Sequence, residues 1–174
     1  MRQFQAFLAA LALFVAATVA APSAEATTFV DVTVEQLAAA SDLIVVGRVV
    51  EVSVEPQGPA GQPGIHTRAT VQVEEVLRGP GRSLVDVWVQ GGRLGDRMRV
   101  VPGQAQFVQG EDLVLFLTEA GGGLWPTGMG RGKWQRPPDS SGFSPQSPLR
   151  DGPHLAPALT LQELRRVAAR EATR

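Results

Sequence analysis

Hydrophobic spacing divides the chain into segments of different period. Residues 6–21 are apolar almost without interruption. Thr33-Val34-Glu35-Gln36 then has the form of a capping box, in which the Thr hydroxyl accepts the N3 amide and Gln36 reaches back to the Thr33 amide. It predicts a short helix through Leu37 and the alanines 38–40, ending near Ser41. From Leu43 to Glu55 the period is that of a long strand rich in β-branched residues. Its first half is apolar on both faces. In its second half Val50, Val52 and Val54 alternate with Glu51, Ser53 and Glu55. Gly47 lies where the pattern changes and predicts a bulge or a sharp bend.

Three Pro and three Gly in residues 56–64 predict a loop. A second strand follows from Ile65 to Leu77. Ile65, Thr67, Ala69, Val71 and Val73 are expected to face inward, and His66, Arg68, Thr70, Gln72 and Glu74 outward. Glu74-Glu75 breaks this alternation and predicts another bulge. Val85, Val87 and Val89 mark a third strand with Trp88 on its opposite face. Short strand candidates lie near 98–101 and 104–108. Leu113–Leu117 is apolar on both faces, as a central strand would be. Residues 124–129 and 133–136 are expected to close the sheet as a final hairpin.

Six prolines among Ser, Gly and Asp mark residues 137–157 as a disordered or extended linker. A second capping box, Thr160-Leu161-Gln162-Glu163, then starts a helix to about Ala172, with Leu161, Leu164, Val167 and Ala168 on one stripe. At the other end, Arg2 precedes the apolar run and Ala24-Glu25-Ala26 follows it, which is the pattern of a signal peptide cleaved before Thr27. The run is shorter than a span needs, and Pro22 follows it directly. The expected organisation is a signal peptide at 1–26, a barrel domain at 27–136, the linker at 137–157 and a helix at 158–174. The mature chain is expected to be secreted or periplasmic, with no stable membrane span.

Composition narrows the chemistry. The chain has 174 residues, 16 Lys+Arg against 17 Asp+Glu, two His and no Cys. The near-zero net charge argues against a nucleic-acid partner. Without Cys there is no disulfide, thiol nucleophile or thiolate metal site. Two His exclude a three-histidine site. Thr127–Lys133 is glycine-rich, but the first glycine of a phosphate loop is a Thr here and Trp134 stands in place of the magnesium-binding hydroxyl. Glu74-Glu75 and Glu111-Asp112 are adjacent pairs, which diverge in strands. No Ser occupies a G-x-S-x-G elbow.

Several short strands followed by a helix predict a mainly β protein, a small closed barrel of about 95 residues with a short N-terminal helix and a C-terminal helix after the linker. In Ser41–Val50, Val73–Gly79 and Gly110–Leu117 the chain resembles the OB-fold of netrin modules and tissue inhibitors of metalloproteinases, and uncharacterised secreted bacterial proteins with the same order of elements. In those inhibitors an N-terminal cysteine, freed by signal cleavage, chelates the protease zinc through its amine and carbonyl. This chain has Thr27 there and lacks every family cysteine. Only the fold therefore carries over, since folds host unrelated functions.

The expected function is an exported, cofactor-free, non-enzymatic domain that binds an extracytoplasmic protein or ligand of unknown identity. The expected interaction residues are Trp88, the tryptophan opposite a valine face, His66 and Arg68 on the outward face of the second strand, and Thr27 through its α-amino group. Trp125 and Trp134 are expected in the core. Two other classes stay open: an inhibitor of an extracellular metalloprotease, and a secreted hydrolase in which His66 would meet a carboxylate and a hydroxyl.

Overall fold

The fold follows from two strands that are apolar on both sides. The structure, a computed structural model, describes residues 32–146, 150–151, 154–155 and 157–172. The signal-peptide assignment and Thr27 lie outside these residues. Helix α1 (Val34–Ala39) opens with the expected capping box, Thr33 accepting from the Gln36 amide and Gln36 from the Thr33 amide. Strands β1 (Leu43–Gln57), β2 (Pro63–Arg78) and β3 (Leu84–Gln90) form consecutive antiparallel pairs. A short ladder of β4 (Gly92–Leu94) and β5 (Arg97–Arg99) precedes β6 (Asp112–Ala120). After β6 come β7 (Gly123–Pro126), β8 (Lys133–Gln135), β9 (Gly142–Pro145), a two-stranded ladder of β10 (Arg150–Asp151) and β11 (His154–Leu155), β12 (Leu159–Thr160) and helix α2 (Leu161–Ala172).

The molecule is mainly β, with one eight-stranded sheet in the order β1-β2-β3-β7-β6-β8-β9-β12 and a further β1–β6 pairing. The β3–β7 contact is parallel, through Val87 and Leu124. β1 thus has β2 on one edge and β6 on the other. Leu43, Val45 and Val49 of β1 and Leu113, Leu115 and Leu117 of β6 join one buried cluster with Val71, Val87 and Leu124. Ile44 and Val46, with Val114 and Phe116, point the other way into a second cluster beneath α1 and α2. That is why both runs are apolar on both faces.

Register slips account for the changes of pattern. Val46 faces Glu75 and Gly47 faces Val73, so Glu74 is the extra residue of the expected bulge. Val49 faces Val71 and Glu51 faces Thr70, which leaves Val50 extra on β1. This second bulge switches the inward parity from Val45 and Val49 to Val52. The first slip falls at Val46/Gly47, where the glycine predicts a bulge, and Gly47 also admits a close approach of β2. A β-carbon there would collide with the Gln72 carbonyl oxygen and sit 3.0 Å from Val71 Cγ1.

Several expectations need correction. The loop at 56–64 is short: β1 runs through Gln57, β2 starts at Pro63, and only a 3₁₀ turn at Pro59–Gly61 lies between. Residues 104–108 form no strand. β7 and β8 do not pair as a hairpin. They follow one another along the same edge of β6, β7 against Leu117–Ala120 and β8 against Leu113–Leu115. Within the proline-rich segment, β9 pairs with both β8 and β12, and its Phe143 is fully buried in the helix-covered cluster. Phe143 thus anchors residues 142–145, while residues 147–149, 152–153 and 156 of the segment lie outside the described residues.

Helix α2 keeps the expected stripe: Leu164, Val167 and Ala168 are buried and Leu161 packs against them. Its capping box is closed by Thr160 and Glu163. Arg165 adds a two-pronged contact to Glu75 of β2, at 2.8 and 2.6 Å. Those hydrogen bonds hold the Glu75 carboxyl below its ordinary value of 4.5. A carboxylate lowered in the folded state stabilises above its unfolded pKa and loses that contribution as pH falls through the folded one. Both side chains are partly exposed, so Glu75→Gln should cost under about 1 kcal/mol at neutral pH. In urea titrations the difference between wild type and this variant should shrink steadily below the ordinary carboxylate range; a constant difference would remove the ion pair from helix docking.

Gly47→Ala should lower stability by about 1–3 kcal/mol through overpacking. Gly81→Ala, where an added β-carbon meets nothing within 4 Å, should be neutral or better. Comparison of the two urea midpoints tests the assignment.

Candidate functional site

Beyond the bulges, the outer faces of β1, β2 and β3 carry polar and aromatic side chains. β2 and β3 pair Arg68 directly with Trp88. The guanidinium carbon lies 5.9 Å from the Trp88 ring centroid, within cation–π range. Arg68 also reaches Glu55 at 3.5 Å, Asp86 at 3.9 Å and Ser53 Oγ at 3.4 Å. Thr70, next along this face, donates to Asp86 at 2.7 Å. Trp88 is half-buried and belongs to neither apolar cluster, while Val85, Val87 and Val89 are buried on the other side. Trp88 and Arg68 each point outward as expected, and the β2–β3 register brings the two onto one face.

His66 is different. It lies on the same face, but it is only 2 % exposed. The reason is tertiary: Gly58 approaches its ring, and Trp125 packs edge-on with centroids 5.9 Å apart. Nδ1 lies 2.8 Å from the Gly64 carbonyl oxygen and therefore carries the donating proton. No carboxylate or hydroxyl among the described residues bonds to the ring. The solvent-facing assignment for His66 is thus overturned: it is a buried wedge under the β1–β2 turn. Thr27, the fourth expected residue, lies outside the described residues.

The tryptophans divide unequally. Trp134 is fully buried, packs on Phe116 with centroids 6.0 Å apart, and donates Nε1–H to the Arg131 carbonyl at 3.1 Å. Trp125 is not a core residue. It is half-buried on the outer side beside His66, and its Nε1–H bonds the Ala120 carbonyl at 2.8 Å. Strand parity could have revealed this, because Leu124 and Pro126 on either side of it are buried. The turn at Pro59 lies within the expected loop, but its contact with the β6–β7 turn could not be found from pattern. A β-carbon at Gly123 would clash with Pro59 and lie 3.2 Å from Trp88, so the β1–β2 and β6–β7 turns meet at the rim of the aromatic face.

The glycine-rich Thr127–Lys133 run is a turn rather than a phosphate cradle. Gly128 and Met129 adopt left-handed φ values of 65° and 63°. Lys133 is buried, and its ammonium is committed to Glu111 at 2.7 Å and to the Gln106 carbonyl. Burial lowers the Lys133 pKa, with Glu111 acting against that shift. Glu111 and Asp112 do diverge: Asp112 pairs with Arg48 at 2.8 Å instead. Among the described residues no group of three or more His, Asp or Glu gathers as a metal site, and no helix is long and apolar enough to cross a membrane.

The outer face offers an aromatic ring with an accessible side, a guanidinium held over it, and carboxylates that fix the guanidinium. No family model and no curated protein matches the chain.

The unequal burial predicts unequal costs. Trp134→Ala should cost about 3–5 kcal/mol as a buried aromatic truncation, and Trp88→Ala less than about half as much. Urea denaturation of the two variants decides; equal losses would place Trp88 in the core.

Proposed function

We propose that the chain is an exported, non-enzymatic binding domain that takes a protein partner on the outer face around Trp88 and Arg68. The observation that carries this reading is the Arg68–Trp88 pair, partly exposed between Glu55 and Asp86 and outside both apolar clusters. Half-buried Trp and Arg are the residue types that dominate binding energy at protein interfaces. Export is supported by the basic, apolar and small-residue order of residues 1–26.

The domain behind this face is, on the same proposal, a closed OB-like barrel of the netrin and metalloproteinase-inhibitor type. Support comes from the pairing path β1-β2-β3-β7-β6, which returns to β1, and from the single cluster its inner residues make. OB barrels bind ligands on the face of strands 2 and 3, and Arg68 and Trp88 lie on β2 and β3. With no cysteine, the domain relies on strand packing where its look-alikes use disulfides.

The test is affinity capture with the mature chain from culture supernatant and envelope fractions, in parallel with Trp88→Ala and Arg68→Glu proteins of verified fold. A protein retained by wild type and lost or weakened at least about tenfold by both variants is the expected result. Identical retention by all three proteins moves the interface elsewhere, and exclusively cytoplasmic partners count against export.

A further inference from the structure

A second place on the molecule has the chemistry of a small-ligand site, at the end of the sheet remote from the helix-covered cluster. The β4–β5 ladder and the following segment to Phe107 enclose, with the ends of β1, β2 and β3, a cavity of about 360 Å³. That volume falls at the small end of the range for ligand pockets. Its floor is aliphatic, with Val52 and Val54 from β1 and Val89 from β3, and its far wall includes Phe107. Two of its lining residues, Met98 and Val100, are each 68 % exposed, an unusual position for large apolar side chains. Methionine suits such a wall because its unbranched side chain adapts to whatever fills the space.

The charge in this lining has one sign. Arg93 and Arg99 contribute two cations, and the lining contains no Asp or Glu. No ion pair among the described residues engages either arginine: Arg93 donates only to the Gly95 carbonyl, at 3.3 Å. Arg48, Arg68 and Arg165, by contrast, each pair with a carboxylate. Gln90, Gln104 and Gln106 supply neutral polar groups to the same lining.

The cavity wall is also secured by a buried contact. Lys133 ties down the segment that carries Phe107, bonding the Gln106 carbonyl and Glu111 while its ammonium sits 5.1 Å from the Phe107 ring centroid. Losing either partner of such a buried pair is costly, so the contact fixes the position of this segment against β8.

An aliphatic floor, an adaptable apolar wall and two arginines with no carboxylate opposing them call for a ligand with a hydrocarbon tail and an anionic oxygen head. We infer that this cavity binds a single-chain amphiphilic carboxylate, the tail against Val54, Val89 and Met98 and the head toward Arg93 and Arg99. The planar guanidinium matches a carboxylate in shape as well as charge. This site is separate from the Trp88 face, and neither reading rests on the other.

Isothermal titration of the mature protein with dodecanoate, below its micelle concentration, tests the inference. Dodecyltrimethylammonium has the same tail with the opposite charge, and acetate has the head without the tail. The expected result is saturable one-to-one binding of dodecanoate, at least about tenfold tighter than either control. The double variant Arg93→Gln/Arg99→Gln and the single variant Met98→Asp should each weaken it by about tenfold or more. Both alter exposed side chains, and Trp88→Ala should leave binding unchanged. Absence of saturable binding, equal binding of the cationic control, or indifference to both cavity variants overturns the inference. So does a Met98-dependent dimer in sedimentation, or binding seen only to phosphatidylglycerol vesicles, since either gives the apolar wall a different occupant.

Discussion

Two-sided burial of β1 and β6 is the constraint on which the rest of the structure depends. A strand with apolar residues on one face needs one covering layer, whereas a strand apolar on both needs two. Leu43, Val45, Leu113 and Leu115 are satisfied by β2, β3 and β7 across the inner cluster. Ile44, Val46, Val114 and Phe116 need a second cover, and α1, α2, Phe143 and Trp134 provide it. The C-terminal helix is therefore not an appendage. Without it, and without the aromatic anchor from the proline-rich segment, the outer faces of the two most apolar strands would meet water.

The bulges decide where that second cover ends. On β1 the extra residue Val50 changes parity, so the outer face carries Glu51, Ser53 and Glu55 instead of isoleucine and valine. On β2 the extra residue Glu74 lets Leu77 join the helix-covered cluster while Val73 and Val76 stay inside. The same strands thus have a covered half and an open half, and the open half presents Arg68, Thr70 and Trp88. An uncovered polar and aromatic face arises here without any dedicated element, because the strands are longer than the helices that cover them.

Much of this was legible in the sequence, and the exceptions have physical causes. Both capping boxes, the two-sided apolar strands, the Glu74 bulge and the position of Trp88 opposite three valines depend on local chemistry or period, and pattern reveals them. His66 failed because burial of a residue on the correct face depends on a remote turn and on Trp125, some sixty residues later in the chain. The pairing of residues 142–145 was not legible because prolines dominate the composition of that segment, whereas Phe143 is buried by contacts with remote parts of the chain. The expected hairpin at 124–136 failed for a third reason. Turn chemistry signals that the chain breaks its ladder, but not whether it reverses. Gly128 and Met129 in left-handed conformations make a short excursion, after which β8 resumes along the same edge of β6.

That excursion links the covered and uncovered parts of the molecule. Thr127 keeps the β6 ladder going through its amide to the Phe116 carbonyl at 2.8 Å, and its hydroxyl accepts from Ser41 at the end of α1. Six residues later Lys133 re-enters the ladder, pointing its ammonium at Glu111 and the Gln106 carbonyl. Burying the chain's single lysine costs desolvation energy that an apolar residue there would avoid. What the lysine provides instead is a directional tie to the segment between β5 and β6, which has no strand ladder of its own between residues 100 and 111. An aliphatic side chain would fill the same space without specifying which carbonyl it meets. A buried charge with fixed partners holds a wall, and this wall, carrying Ala105 and Phe107, encloses apolar space that the inner cluster leaves unfilled.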